Sequence, residues 1–239
     1  MKVAREKSTF KKLTIKPVQA ISDNFGSYIV FKVRGKNGFQ LTDDMTFGYM
    51  DIENKQETAS VMDGYVLKRE EEVLYYAVWM MTDGGRIADR QQVFHVTLGD
   101  LAYAELYEDG TTARLKADDL EDLENGTYQR ALKGKYTADI CCKAADASIC
   151  VEMDGGSVAD IHPLGIYVDK YLFDELGATK LSKEQQKLHV LLKDGTEVSA
   201  SLCTALGKRN TILRPEKPID VSQVIGVRKR NQEYYADKK

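Results

Sequence analysis

The sequence predicts a mainly β fold, in which antiparallel hairpins build one or two sandwich-like or barrel-like units with two or three short helices. Short apolar and aromatic runs recur along the 239 residues, whereas helical periodicity is rare. Asn or Asp followed by Gly supplies the positive φ angles of tight hairpin turns. Seven such pairs occur, at positions 37–38, 63–64, 83–84, 109–110, 125–126, 154–155 and 194–195.

The clearest hairpin is centred on the Asp-Gly pair at 194–195, because apolar runs flank it on both sides. A two-residue loop there would place Leu191 opposite Val198 and Lys193 opposite Thr196. The pattern therefore predicts two paired strands around a turn in which the glycine has a positive φ angle.

A second hairpin is predicted between the aromatic run 73–81 and the alternating run 92–98, joined across 83–85. This pairing would put Trp79, the single tryptophan, in the main core. Further strands are expected at 13–21, 27–33, 45–52, 136–142, 149–153, 165–168 and 221–227.

Helical patterns are short. Residues 117–124 carry Leu120 and Leu123 on one side and end at an Asn-Gly pair, which is typical of a helix C-terminus. Two further helices are predicted at 169–176 and at 182–185, where a capping-box spacing occurs. The acidic helix is also a natural boundary, so we predict β-rich units at 1–110 and 127–239 joined by a connector at 111–126; a single domain also fits the length.

Overall charge and segment composition limit the protein's class. The chain has 34 basic and 37 acidic residues, a net charge of −3, which argues against a surface built throughout to coat nucleic acid. The charged start at 1–7 lacks the apolar stretch of a secretion signal, and the longest apolar run is about eight residues, too short to span a membrane. We expect a cytoplasmic protein, or a virion component assembled in the host cytoplasm, with four reduced cysteines at 141, 142, 150 and 203.

Catalytic motifs are not recognisable. Lys133-Gly134-Lys135 lacks the first glycine and the hydroxyl residue of a phosphate-binding loop, and no G-x-S-x-G occurs. The histidines, at 95, 162 and 189, are each best interpreted as ordinary strand residues.

Two weak metal-site patterns are present. Asp160 and His162 would share one face of a strand, but two ligands do not make a site. Asp51, Glu53 and Lys55 resemble the carboxylate and lysine set of metal-dependent nucleases, yet such triplets arise by chance in a chain this charged. The sequence therefore predicts no catalytic residue, no metal and no other cofactor.

Charge is distributed unevenly along the chain. The first sixteen residues carry six basic side chains and one acidic side chain, whereas residues 105–125 carry eight acidic and two basic ones. A basic cluster followed by two tyrosines occurs at 228–235. Charged termini often serve only as soluble tails, but they also suit extended arms that bind neighbouring subunits.

These observations favour a non-enzymatic structural subunit of a large assembly, most concretely a phage or virion capsid or tail component with basic terminal arms. Its partners would be copies of itself or other subunits. The alternative is a nucleic-acid-binding or nucleic-acid-processing protein that uses the C-terminal basic and aromatic segment. An enzyme with a site assembled from scattered residues is a third possibility. The expected contact residues are Lys2, Arg5, Lys7, Lys11, Lys12, Arg228, Lys229, Arg230, Tyr234 and Tyr235.

Overall fold

The computed structural model describes residues 1–54, 60–82, 91–108, 112–145, 147–168, 187–203 and 212–236. These residues form antiparallel sheets and one short α-helix, which confirms the predicted mainly β class. The elements of the first half are β1 (Lys2–Ser8), β2 (Leu13–Asp23), β3 (Gly26–Gly35), β4 (Met45–Asn54), β5 (Ser60–Glu70), β6 (Val73–Thr82), β7 (Gln91–Leu106), β8 (Thr112–Leu115) and α1 (Leu120–Glu124). The others are β9 (Arg130–Lys143), β10 (Ile149–Met153), β11 (Ser157–Ile161), β12 (Ile166–Val168), β13 (Lys187–Leu192), β14 (Glu197–Leu202), β15 (Ile212–Pro215), β16 (Val224–Lys229) and β17 (Gln232–Tyr235).

Two sheets form a sandwich. One has the order β1-β9-β7-β4, with β8 paired to β7, and the other has the order β2-β3-β6-β5. Their facing sides enclose the largest apolar core, in which Phe31 of one sheet packs edge-on against Tyr136 of the other at 5.8 Å between ring centroids. Because side chains alternate between the two faces of a strand, this arrangement leaves the outer face of each sheet for other contacts.

The remaining strands form a barrel-like sheet in the order β10-β11-β12-β15-β14-β13-β16-β17. The first and last strands of this order approach each other, and the Tyr234 hydroxyl donates a hydrogen bond to Asp154 at 2.9 Å beside β10. Val151, Val190 and Val227 are fully buried in its interior. The sheet is therefore nearly closed around its own core.

A third core joins the sandwich to the barrel-like sheet. Trp79, on the outer face of the β2-β3-β6-β5 sheet, and Phe25, in the turn between β2 and β3, pack with Leu164, in the link between β11 and β12, and with Ile212 of β15. The Arg214 guanidinium lies over the Trp79 ring at 4.7 Å and donates to Asp63 at 2.8 Å. Trp79 is thus buried in this junction and not, as predicted, in the main core.

A buried carboxylate also crosses the junction. Asp23 accepts the backbone N–H groups of Phe25 and Leu164, each at 2.7 Å. Its side chain is excluded from water, and burial raises the pKa of Asp23 to about 6. The carboxyl group therefore fixes the Phe25 turn to the barrel-like sheet.

The second predicted hairpin is wrong. Strand β6 pairs with β3 and β5, whereas β7 pairs with β4 and β9. The two strands belong to opposite sheets of the sandwich and meet face to face across the core, with Val78 and Met80 on one side and Phe94 and Val96 on the other. Their apolar patterns predicted strands correctly, but burial between sheets replaces the expected edge pairing.

The first predicted hairpin is confirmed, with its register shifted by one residue. Leu192 donates to Thr196 at 3.0 Å, so the loop has three residues and Val190 lies opposite Val198. Gly195 has a φ of +82°. A turn followed by a residue in the left-handed region is the usual form of a three-residue hairpin loop, and Lys193 therefore belongs to the loop.

The other Asn-Gly and Asp-Gly pairs do not all form turns. The glycines at 38, 126 and 155 have positive φ angles, as turns require. Asp63-Gly64 instead lies within β5, where a Cβ on Gly64 would lie 2.4 Å from the Tyr76 hydroxyl, so this glycine makes room for a cross-strand side chain. The pairs at 83–84 and 109–110 lie outside the described residues.

Among the residues that the structure describes, fewer helices occur than predicted. In the described part of the chain, α1 is the one α-helix, and Asp119 caps it by accepting the Asp122 N–H at 2.8 Å. Residues Asp154–Gly156 and Val221–Gln223 form single 3₁₀ turns, the second of which replaces the start of a predicted strand. The predicted helices at 169–176 and 182–185 lie outside the described residues. None of the helices in the described ranges has the length and apolarity to cross a bilayer.

Strand pairing connects the two predicted units. β9, from the second predicted unit, pairs with β1 and β7 of the first. β8 and α1 fall in the predicted connector. In the sequence they follow β7 and precede β9, which are neighbouring strands of one sheet. The division at 111–126 stays a prediction.

Candidate functional site

The N-terminal basic residues lie on an edge strand. β1 pairs with β9 through Lys2 opposite Cys141 and Lys7 opposite Thr137, while a bulge with a φ of +52° occurs at Arg5. All three basic side chains are exposed. The segment is a strand of the sheet, so the expectation of an extended N-terminal arm is corrected: pairing with β9 satisfies the backbone hydrogen bonds on one side of the strand.

Lys11 and Lys12 lie elsewhere, in the link between β1 and β2. They line a groove of about 490 Å³ together with two lysines of β9, which the sequence analysis did not select as contact residues. The full lining consists of Thr9, Lys11, Lys12, Asp100, Leu132, Lys133, Gly134 and Lys135. We call this cavity the basic groove.

A bulge in β9 forms one wall of the basic groove. Gly99 of β7 pairs with Lys135, whereas Leu101 pairs with Leu132, so Lys133 and Gly134 of β9 lie opposite the single residue Asp100 and β9 has one extra residue here. Asp100, opposite them, has a φ of +42°, outside the usual strand region. Bulges of this kind redirect side chains, and here the bulge presents two lysines to the groove.

Hydrogen bonds from Asp100 hold the bulge in place. One carboxylate oxygen accepts the Gly134 N–H at 3.0 Å, and the other accepts from the Arg130 guanidinium at 2.6 Å and the Tyr128 hydroxyl at 3.3 Å. The negative charge of Asp100 is therefore already paired with Arg130.

Contacts from the β1–β2 link hold the other wall. Thr9 donates its backbone N–H to the Lys135 carbonyl at 2.8 Å, and its hydroxyl accepts the Lys135 N–H at 2.8 Å. The Phe10 ring covers Gly134 so closely that a Cβ there would lie 2.2 Å from a ring carbon. The two walls are thus fixed to each other by backbone contacts and by a buried ring.

The basic groove has an excess of positive charge. Among the described residues, no carboxylate lies within 4 Å of the ammonium groups of Lys11, Lys12, Lys133 or Lys135. The Lys12 ammonium group lies over the Phe39 ring, 5.9 Å from the ring centroid. This contact attracts the ammonium group but does not neutralise its positive charge. Since Asp100 is paired with Arg130, the groove suits an anionic ligand.

The C-terminal basic and aromatic residues form the last hairpin of the barrel-like sheet. Arg228 is paired with Glu197 and also donates to the Arg230 carbonyl at 3.1 Å, and Lys229 lies opposite Gln232. Arg230, with a φ of +57°, occupies the turn. As with β1, the segment is not an arm, because β16 and β17 are paired strands.

The two tyrosines of this hairpin differ in exposure. Tyr234 packs against the barrel core and donates to Asp154, so its ring is not available as a stacking surface. Tyr235 is exposed and its hydroxyl donates to Glu233. The structure therefore does not bring the expected C-terminal contacts together with the groove lysines.

Neither of the two weak metal patterns forms a metal site among the described residues. Asp160 lies 3.1 Å from His162 Nε2, and the Cys150 thiol donates to Asp160 at 3.7 Å. Asp51 and Glu53 lie on the outer face of β4, and Lys55 is outside the described residues. No group of three or more metal-ligating side chains is found where the structure is described.

One further exposed residue lies near the basic groove. The Tyr49 ring extends over Gly99, with a ring carbon 3.1 Å from the position that a Cβ on Gly99 would occupy. Gly99 is also the β-sheet partner of Lys135. Burial and the negative charge of the nearby Asp51 carboxylate raise the pKa of Tyr49. Sequence reasoning missed Tyr49, Lys133 and Lys135 because strand pairing and a bulge bring them near Lys11 and Lys12.

Comparison of the chain with protein-family models, with curated proteins and with solved structures finds no match.

Proposed function

We propose that this protein is a structural subunit of a large protein assembly, most concretely a capsid or tail component of a phage-type virion. One observation carries the proposal. β1 is an edge strand whose second side has no partner strand among the described residues, and it exposes Lys2, Arg5 and Lys7. Such an edge can accept a neighbouring chain, and its charge favours an acidic neighbour.

An acidic surface of matching charge exists on the same molecule. Asp118, Asp119, Glu121 and Glu124 are exposed at α1, and within the described ranges none of them forms an ion pair. β1 pairs with residues 136–141 of β9, whereas α1 precedes the opposite end of that strand. One copy would therefore use β1 and the next would use α1. A contact between different surfaces of identical chains repeats, and it builds rings or filaments.

Nucleic-acid binding through the C-terminal segment stays the alternative proposal, with less support. Arg228 is paired with Glu197, and Tyr234 is held by Asp154 and the barrel core. These contacts would have to break before Arg228 could bind a phosphate or Tyr234 could stack on a base.

Reversing the charge of β1 is expected to abolish assembly. The variant Lys2→Glu, Arg5→Glu, Lys7→Glu would place acidic residues against the acidic α1 surface of the next copy, where like charges repel. The measurement is the native mass in solution by light scattering. The matched control, Lys16→Glu, Lys36→Glu, Lys217→Glu, changes the net charge equally at exposed sites away from β1 and should assemble normally.

A complementary variant makes this test specific. Asp118→Lys, Glu121→Lys, Glu124→Lys should also fail to assemble alone, but a mixture of the two reversed variants should assemble again, since each β1 then meets an α1 of opposite charge. Circular dichroism confirms that the variants are folded. Normal assembly of the β1 variant, or no recovery in the mixture, would contradict the proposed contact.

A further inference from the structure

We propose that the basic groove binds the phosphate backbone of single-stranded nucleic acid, and that Tyr49 stacks on a base beside it. This site is separate from β1 and α1 and does not rest on the proposed assembly. It also differs from the C-terminal segment that the sequence favoured for nucleic-acid contact.

The arrangement of the lysines supports phosphate as the ligand. Four lysines line the groove without a nearby carboxylate partner among the described residues, and the carboxylate of Asp100 is paired with Arg130. Ammonium groups clustered in this way attract successive phosphates and release their counterions. A groove of about 490 Å³ is large enough for more than a single inorganic ion.

The backbone of the groove is fixed before any ligand binds. Asp100 holds the Gly134 N–H, and Thr9 holds both backbone groups of Lys135. Phe10 is buried against Gly134. Because the bulge does not have to form on binding, less conformational entropy is lost when a ligand is captured.

Tyr49 favours a single strand over a duplex or a plain polyanion. Gly99 pairs with Tyr49 of β4 on one side and with Lys135 of β9 on the other. Two strand spacings therefore separate the backbones of Tyr49 and Lys135, which places them about 10 Å apart across the sheet. Tyr49 is 51% exposed, which leaves part of its ring open to a base. Aromatic rings beside basic grooves stack on unpaired bases, which a duplex does not offer.

The surrounding charges restrict the path of the strand. Asp51 and Glu53 follow Tyr49 on the same outer face of β4 and would repel phosphates. The nucleic-acid backbone would therefore run on the lysine side of Tyr49, through the groove. This restricted path is consistent with a protein whose net charge is −3.

Fluorescence anisotropy with a labelled oligo-deoxythymidine of about 20 nucleotides tests the site. We expect salt-sensitive binding by the unaltered protein. Lys133→Ala with Lys135→Ala should weaken binding at least tenfold and reduce the slope of log affinity against log salt by about 1. The control Lys16→Ala with Lys217→Ala removes the same charge from exposed positions outside the groove and should bind as the unaltered protein does.

Inorganic polyphosphate, used as a competitor, separates the two parts of the site. Tyr49→Ala should weaken oligonucleotide binding about tenfold and leave polyphosphate binding unchanged, whereas the lysine variant should weaken both. Tyr49→Phe should bind the oligonucleotide normally. The site is refuted if the unaltered protein does not bind the oligonucleotide or if the lysine variant binds it normally. Equal loss of both ligands in Tyr49→Ala would refute stacking.

Discussion

Replacing Gly26 with alanine is expected to destabilise the fold by about 3 to 5 kcal/mol. Gly26 has a φ of +134°, and a Cβ at this position would lie 2.0 Å from the Met80 carbonyl oxygen. The obstacle is the backbone of β6 rather than a side chain that could rotate, so the β2–β3 hairpin would have to move away from its neighbour. Chemical denaturation, followed by circular dichroism, measures the loss.

Gly38→Ala is the matched control. Gly38 also has a positive φ, +75°, but no atom lies within 4 Å of a Cβ built there. Its substitution should cost only the backbone strain, about 1 kcal/mol. Equal losses in the two variants would show that close packing of Gly26 on β6 is wrong.

Lowering the pH from 7 to 4 is expected to stabilise the junction between the sandwich and the barrel-like sheet. Burial raises the pKa of Asp23 from 3.8 to about 6, so the folded chain holds this proton more tightly than the unfolded chain does. The stabilisation is fully present below pH 3.8 and is lost as the pH rises through about 6. The complete change is about 3 kcal/mol.

Asp23→Asn isolates the contribution of Asp23 from those of other titrating groups. The amide does not titrate, so the variant should lose the rise in unfolding free energy between pH 6 and pH 4 that the unaltered protein shows. Urea denaturation at a series of pH values compares the two proteins. An identical pH dependence in both proteins would mean that Asp23 does not carry the effect.

Local patterns predicted the strands well. The alternating and aromatic runs predicted β2, β3, β4, β6 and β10 close to their observed bounds, whereas β9 begins at Arg130, six residues before the predicted start. Burial of alternate side chains needs only the residues of one strand. The composition of the edge strands β1 and β17 predicts charged terminal tails or arms, since edge positions tolerate many charged residues. Composition alone does not distinguish an exposed edge strand from a tail.

Strand partners were predicted less well. Asp194-Gly195 predicts the hairpin of β13 and β14 because these paired strands directly adjoin the loop. The partners of β6 and β7 are distant in sequence and are set by the packing of two sheets. No local turn residue encodes that choice. The turn that joins β2 to β3 has Asn24 and Phe25 at its centre and carries no Asn-Gly or Asp-Gly pair.

The sequence predicts only two of the four lysines of the basic groove as contact residues. Lys11 and Lys12 were expected as contacts, and Lys133-Gly134-Lys135 was considered only as an incomplete phosphate loop. The proximity of these lysines depends on a bulge that adds one residue to β9 and on the left-handed conformation of Asp100. Non-glycine residues in that conformation cannot be identified from one sequence, because most positions of the same residue type avoid it.

The most direct measurement for the proposed function is the native mass of the unaltered protein in solution, before and after nuclease treatment. A structural subunit held together by β1 and α1 should give a particle many times heavier than one chain, with the same mass after nuclease. A single-chain mass under both conditions, or a particle that nuclease dissociates, would contradict assembly through protein contacts.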